Sequence, residues 1–265
     1  MPQTAEGTGD TWRDSRDCFH ASIASRISIL VFSISFLALG SAVAAQEDAV
    51  EVEASHYTRR EPGGFGIGKI YMGREIGVVM SPEGASWLDR GERAREERPD
   101  LVLEAMEIET DWVVADIGAA SGYYSFRLSS RVPEGRVLAV DIQPELLQLI
   151  EERSALAGVD NVEAVLGTIE DPGLPKSAVD AALMVDSYHE FSHPREMMEA
   201  IFRALKPGGR VFLIEFRGED AELPVPAEHK MTQAQARLEL EAAGLEWVEN
   251  RSILPLHHFL VFRKP

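Results

Sequence analysis

The apolar run Trp112-Val113-Val114-Ala115 reaches Asp116-Ile117 and passes straight into Gly118-Ala119-Ala120-Ser121-Gly122-Tyr123-Tyr124. Few folds accommodate that order. A buried strand has to enter a tight turn and then a helix N-terminus, the arrangement by which an open α/β sheet grips a nucleotide-like ligand. Gly118 and Gly122 can take positive φ, and without a Cβ they let the backbone approach that ligand closely. Asp116 adds an acceptor beside the turn. The spacing lacks the Gly-x-Gly-x-x-Gly order that brings a dinucleotide pyrophosphate against a helix, which counts against an NAD(P)-dependent oxidoreductase.

From Asp111 onward the pattern alternates regularly. Strands are predicted at Trp112–Ile117, Arg136–Asp141, Val162–Leu166, Ala181–Asp186, Arg210–Phe216, Leu245–Ser252 and His258–Phe262. Helices are predicted at Tyr123–Ser130, Pro144–Ala157, Pro194–Leu205 and Thr232–Ala243. Pro144 and Pro194 fall in first turns, where a missing N–H costs nothing. Gly158 and Gly244 fall just past helix ends. Alternating βα units impose a mostly parallel sheet with right-handed crossovers. The short break at Pro255-Leu256-His257 predicts that the last two strands pair antiparallel at the sheet edge.

Four segments are expected along the chain. Residues 1–45 read as a signal peptide: Arg13, Arg16 and Arg26 precede the apolar stretch Ile27–Leu39, and Ser41-Ala42-Val43-Ala44-Ala45 offers small residues for cleavage. The alternative is an uncleaved N-terminal anchor, the chain's only expected membrane contact. Export to the periplasm or medium follows from the leader, and a cytoplasmic location follows instead if the true start codon lies downstream. Residues 46–69 read as a flexible linker, and 70–111 as an N-terminal helical cap with a charged, solvated face running from Arg90 to Arg98. Residues 112–265 form the core domain. The net charge of −18 argues against a nucleic-acid partner. Cys18 is the only cysteine and precedes the apolar stretch, so the mature chain has no thiol chemistry.

Predicted strand ends converge on one crevice: Asp116 to Gly122 after the first, Asp141-Ile142 after the second, Gly167-Thr168-Ile169-Glu170 after the third, and Asp186-Ser187-Tyr188-His189 after the fourth. Leu205-Lys206-Pro207-Gly208-Gly209-Arg210 is a helix stop and turn into the fifth. In that order these motifs resemble the class I S-adenosylmethionine-dependent methyltransferases, over roughly Trp112 to Pro265. The resemblance implies a Rossmann-like α/β fold, a seven-stranded, mostly parallel sheet with an antiparallel last strand and helices on both faces. It implies S-adenosyl-L-methionine as cofactor and EC class 2.1.1.-. It assigns Asp116, Gly118, Ala119, Ala120 and Gly122 to the methionine portion, Asp141 to the ribose, Ile142 to the adenine face, Thr168 and Ile169 to the adenine edge, and Asp186 to the segment facing methyl group and substrate. Ala120 replaces the middle glycine of the usual motif and leaves less room. Thr168 stands where many members carry Asp.

Methyl transfer is an in-line displacement, so the protein mainly aligns donor and nucleophile. A base is needed only where the nucleophile carries a proton. Asp186 and His189 are the candidates, with Tyr188 as a positioning group. The alternatives are a strand-end cap for His189 and a turn residue for Asp186. Tyr71, His56 and Tyr57 read as packing or surface, and His257 and His258 as edge-strand residues. His189-Glu190-Phe191-Ser192-His193 matches the zinc-protease pattern His-Glu-x-x-His, but that chemistry needs both imidazoles on one helix face. Pro194 disfavours helical dihedrals at His193 and no third ligand is evident, so no metal is expected. Mg²⁺ at Asp141, Glu145 and Asp186 is set aside for lack of a paired Asp-Asp cluster. A small-molecule acceptor is favoured over a protein one, because a compact domain under a lid suits a closed pocket. A non-catalytic S-adenosylmethionine-binding protein is the competing reading.

Overall fold

A computed structural model of the chain describes residues 56–265. The expected leader and residues 46–55 of the expected linker lie outside them. Among the described residues, no helix is long and apolar enough to cross a membrane.

The core strands are β4 (Val113–Ile117), β5 (Arg136–Asp141), β6 (Val162–Leu166), β7 (Val179–Val185), β8 (Leu205–Phe216), β9 (Glu246–Asn250) and β10 (His257–Arg263). They form one sheet in the order β6-β5-β4-β7-β8-β10-β9. β4 pairs parallel with β5 and β7, whereas β10 runs antiparallel to both β8 and β9. Side chains alternate across this sheet with period two, as a sheet covered on both faces requires. Ala115, Ile117, Leu138, Val140, Ala182, Met184, Leu213 and Leu260 face one core with α6 (Pro194–Ala204) and α7 (Gln233–Ala242). Val114, Val137, Ala181, Leu183, Phe212 and Phe259 face the other, under α3 (Pro99–Ala105) and α4 (Ser125–Ser129). α5 (Pro144–Ala157) packs Leu147 and Ile150 over Ala119 and Ala139.

Local signals account for the helix ends. Pro144 and Pro194 stand in first turns, and Gly158 caps α5 in the left-handed region at φ 65°. Thr232, expected as the first residue of α7, is its N-cap: its hydroxyl accepts from the Gln235 N–H at 3.1 Å. Lys206–Gly209 bulges from the β7–β8 ladder, whose register jumps from Val179↔Leu205 to Ala181↔Arg210. β10 is an inner strand between β8 and β9, yet the β9 ladder begins only at Leu260, so His257 and His258 lie beyond it and are buried by other contacts.

The segment before the core departs most from expectation. Ile70 does not begin a helical region, and residues 57–69 are not simply linker. Three short strands, β1 (Tyr57–Arg59), β2 (Gly66–Tyr71) and β3 (Arg74–Gly77), form a separate antiparallel sheet. Tyr71 pairs with Arg74, leaving Met72 (φ 47°) and Gly73 (φ 94°) as a two-residue turn with both φ positive. That backbone matches the twist of a hairpin. Glu75 ties the ends together by accepting the N–H groups of Gly63 and Gly68 at 2.8 and 2.9 Å. Helices appear only at α1 (Ala85–Leu88), α2 (Arg93–Glu97) and α3. The face of α2 is not wholly solvated either: Arg93 and Glu97 are buried and joined at 2.6 Å.

Candidate active site

The carboxyl ends of β4, β5 and β7 open into a cavity of about 620 Å³, within the size range of small-molecule sites. Trp87 and Leu88 of α1 and Arg93 and Glu97 of α2 cover it from the N-terminal side.

The turn after β4 makes the cavity floor. Gly118, Ala120 and Gly122 all have positive φ, at 78°, 49° and 78°. A Cβ on Gly118 would lie 2.7 Å from the Cβ of Ser187, whose hydroxyl donates to the Ile117 carbonyl at 2.9 Å. Gly118→Ala is therefore expected to destabilise the protein by about 1–3 kcal/mol, from left-handed strain and overpacking, with the shift read in urea denaturation. Ala120 already bears the left-handed strain, and its N–H donates to Asp141 at 2.9 Å.

Asp141 also accepts the Gln143 N–H at 3.0 Å. A carboxylate offers about four acceptor positions, and with the Ile142 N–H also directed at it Asp141 keeps room for about one or two bonds to a ligand. Burial raises the Asp141 pKa, opposed by the N–H bonds. Asp116 is buried, accepts from Ser125 Oγ at 2.6 Å, and is pushed up to about 6 by burial, against the pull of Ser125 and Arg93. Thr168 and Ile169 line the cavity, but the Thr168 hydroxyl is occupied within its own turn, accepting the N–H groups of Glu170 and Asp171.

Beyond β7, Asp186 stands at φ 47°, a strained conformation typical of functional positions. Its Oδ2 lies 3.0 Å from His257 Nε2, while its Oδ1 is buried without a hydrogen-bond partner among the described residues. Burial opposes ionisation of Asp186, but the neighbouring His257 outweighs it and holds the carboxyl below its ordinary value. Burial likewise works against charging His257, and Asp186 reverses this and raises it. Each therefore favours the charged form of the other across a partly buried contact. His189 is engaged at both ring nitrogens, by Glu215 at 2.6 Å on Nδ1 and His229 at 2.9 Å on Nε2. Burial pushes His189 down to about 4, so the ring is neutral at pH 7.

A family profile for the methyltransferase domain matches residues 114–209. An uncharacterized methyltransferase of Mycobacterium tuberculosis is 33% identical over 124 residues, covering 44% of this chain and 46% of that one. The ubiquinone/menaquinone biosynthesis C-methyltransferase of Pseudomonas syringae pv. tomato is 29% identical over 118 residues, with the same coverage of 44% and 46%. The crystal structure of a SAM-dependent methyltransferase from Aquifex aeolicus superposes with a TM-score of 0.67 at 26% identity, over 71% of this chain and 100% of that one. Together these matches support the class I S-adenosylmethionine-dependent methyltransferase family for this chain. It spans about half the length of the curated relatives it matches.

The residues fit the cofactor this family implies. Gly118 puts bare backbone on the cavity wall, Asp141 keeps unused acceptor capacity, and Asp186 lines the cavity with one carboxylate oxygen unsatisfied among the described residues. Asp116, Gly118, Ala119, Ala120, Asp141, Ile142, Thr168, Ile169, Asp186 and His189 all line the cavity. Gly122 and Tyr188 are not among the lining residues. Gly122 shapes the turn from behind, where a Cβ would meet Phe126 at 2.7 Å. Tyr188 is not a positioning group in the cavity: it is fully buried in the opposite core and donates to Glu239 at 2.8 Å. The turn after β7 sends alternate side chains to opposite sides, so Tyr188 and its neighbour His189 part company.

Sequence reasoning passed over Glu190, Glu215, His229, His257, Arg93 and Glu97. Glu215 and His257 sit opposite one another across the β8–β10 ladder, offset by one register position. A buried acid in an otherwise apolar strand is the signal that Glu215 offered. Nothing local marks His229, which lies in the loop between β8 and α7. Near it, His189 Nε2, His229 Nδ1 and a Glu190 carboxylate oxygen lie within 4.8 Å of one another, the one such candidate metal group among the described residues. His193 is not in it: with φ −132° and ψ 64° at the start of α6, it faces Ser192 and Glu170.

Proposed function

We propose that the protein catalyses methyl transfer from S-adenosylmethionine to a small acceptor held under α1 and α2. The observation that carries this reading is Asp141, fixed by backbone N–H groups at the mouth of the glycine turn with acceptor capacity left for about one or two bonds from ribose hydroxyls. The cofactor supplies an activated methyl group on a sulfonium sulfur. Asp116 and the backbone of Gly118–Ala120 hold the methionine end, and Ile142 and Ile169 provide apolar surface for the adenine. Asp186 is kept ionised by His257, so it serves as a hydrogen-bond acceptor and counter-charge that aligns the reactants. It holds its proton too weakly to act as an acid at neutral pH. His189 is neutral but doubly engaged, so it acts on the acceptor only through its neighbours. Trp87, Leu88 and the Arg93–Glu97 pair close the cavity and exclude water.

Calorimetric titration with S-adenosylhomocysteine tests the donor half, and transfer of label from methyl-labelled cofactor to a metabolite extract tests the acceptor half. Saturable binding with label in a small molecule is expected. Binding without transfer to any acceptor would favour a non-catalytic binding protein. NADH binding without S-adenosylhomocysteine binding would reject the reading altogether.

The raised Asp116 pKa adds a pH dependence. Below about 6 the carboxyl is protonated and loses its attraction for the cationic end of the cofactor. Affinity for S-adenosylhomocysteine is expected to rise up to about tenfold between pH 5 and 7, and Asp116→Asn is expected to remove that slope. The sign for the empty protein is opposite. A carboxyl with a raised folded pKa binds more protons folded than unfolded, so between the ordinary carboxylate range and about pH 6 this group lowers stability as pH rises.

A further inference from the structure

We propose that His189, Glu190 and His229 form a site for one divalent transition-metal ion, open on its fourth side to the cavity. The three ligand atoms are already gathered. His189 Nε2 and His229 Nδ1 are 2.9 Å apart, and Glu190 Oε1 lies 3.9 Å from the first and 3.7 Å from the second. Ligands about 2.1 Å from a tetrahedral ion lie about 3.4 Å from one another, so the observed triangle needs only small adjustments to receive one.

The surroundings orient each ligand as a metal site requires. Ligating imidazoles characteristically bond a carboxylate or carbonyl through the second ring nitrogen. His189 does so through Nδ1, with Glu215 at 2.6 Å. The backbone and ring of Phe65 lie against His229. Glu190 Oε2 accepts the Met80 N–H at 3.3 Å, which leaves Oε1 turned toward the two rings. Gly77 packs against both imidazoles, where a Cβ would come within 3.4 Å of each. The carboxyls of Glu190, Glu215 and Asp186 crowd one another here, and a dication would offset the cost of that crowding. All three proposed ligands line the cavity, so an ion there is reachable from it.

Two imidazoles and one carboxylate favour Zn²⁺, Fe²⁺, Co²⁺ or Ni²⁺ over Mg²⁺ or Ca²⁺, which prefer oxygen ligands. Three protein ligands with an open position are the pattern of a catalytic rather than a structural ion. On the methyl-transfer reading, on which this last step rests, the open side takes an oxygen donor of the acceptor and orients it toward the donor half of the same cavity.

The test uses full-length protein stripped with a chelator, dialysed, and titrated with Co²⁺ and Zn²⁺ by visible absorption and calorimetry. One ion per chain is expected, with Co²⁺ showing the visible bands of a four- or five-coordinate site. His229→Ala and Glu190→Gln should weaken binding at least tenfold, and Glu215→Gln about 10–100-fold through His189. His193→Ala, which breaks the sequence motif but not the cluster, should bind like the parent. Oxalate, an oxygen chelator, should shift the Co²⁺ spectrum if the ion has open positions, and an unchanged spectrum would remove the acceptor-holding role. S-adenosylhomocysteine titration of each variant reports the donor half separately. Variants that bind it yet lose the ion establish the site. A parent protein that binds neither ion, or binds them equally well without His229 and Glu190, overturns the proposal and leaves a hydrogen-bonded imidazole pair. Ion binding without S-adenosylhomocysteine binding would leave the metal site standing and sink the methyl-transfer reading.

Discussion

Replacing Glu239 by alanine is expected to destabilise the protein by about 3–5 kcal/mol, the usual result of stranding one member of a buried ion pair. Glu239 lies in α7 and is closed to solvent. It accepts from Arg74 Nε and Nη2, at 2.8 and 2.9 Å, and from Tyr188 Oη and Gln235 Nε2, each at 2.8 Å. Arg74 is itself almost fully buried, and its remaining arm donates to the His189 carbonyl at 3.0 Å. Without Glu239 that guanidinium stays in the interior with a single carbonyl. The urea midpoint should fall, and amide exchange should show Gly66–Gly77 losing protection first, because this pair fastens the hairpin to the core. A double replacement, Arg74→Met with Glu239→Met, should recover most of the loss, since a buried pair is often no better than well-packed apolar groups. If the double variant is as unstable as the single one, packing rather than the stranded charge explains the effect.

Asp141→Ala is expected to weaken S-adenosylhomocysteine binding by about 2–4 kcal/mol, roughly 30- to 1000-fold, as about one or two charge-assisted hydrogen bonds disappear. The same substitution frees the Ala120 N–H at a residue held in a strained conformation. Thermal unfolding should be followed in parallel, to separate a lost ligand contact from a relaxed turn. Asp141→Asn keeps the shape and is expected to recover part of the affinity, since its oxygen still accepts while its amide cannot. Unchanged affinity in Asp141→Ala would remove this residue from the ribose site.

The parallel core was legible because each of its elements carries an independent local signal. Apolar runs of strand length alternate with helices that open on Pro144 and Pro194 and close at Gly158. The donor half was legible for a related reason: its residues cluster at strand ends, close in sequence to the turns that define those ends. The hairpin was not. Its strands are short and interrupted by Gly66 and Gly68, and its turn is Met72-Gly73 rather than the Asn-Gly or Asp-Gly that announces a hairpin. The ligand cluster was hidden differently. His189 and Glu190 were visible inside a motif whose apparent second histidine, His193, points elsewhere, whereas the histidine beside them arrives forty residues later in a loop without periodicity. Arg93 and Glu97 read as one more surface charge run. Only burial under Tyr123 and Tyr124 sets them apart, with the guanidinium 4.2 Å from the Tyr123 ring centre.

The cavity's two halves have different provenance along the chain. Asp116, Gly118, Asp141 and Asp186 all fall inside the stretch 114–209 that the family profile recognises. Trp87, Arg93, Glu97, Glu215, His229 and His257 all fall outside it. On the methyl-transfer reading, kinship measured over that stretch speaks to how the cofactor would be held more than to the acceptor. Two proteins sharing this sheet can diverge in chemistry by exchanging the flanking segments, so on that reading the acceptor is to be sought where the hairpin, the α1–α2 cover and the loop that bears His229 meet the turn of His189 and Glu190.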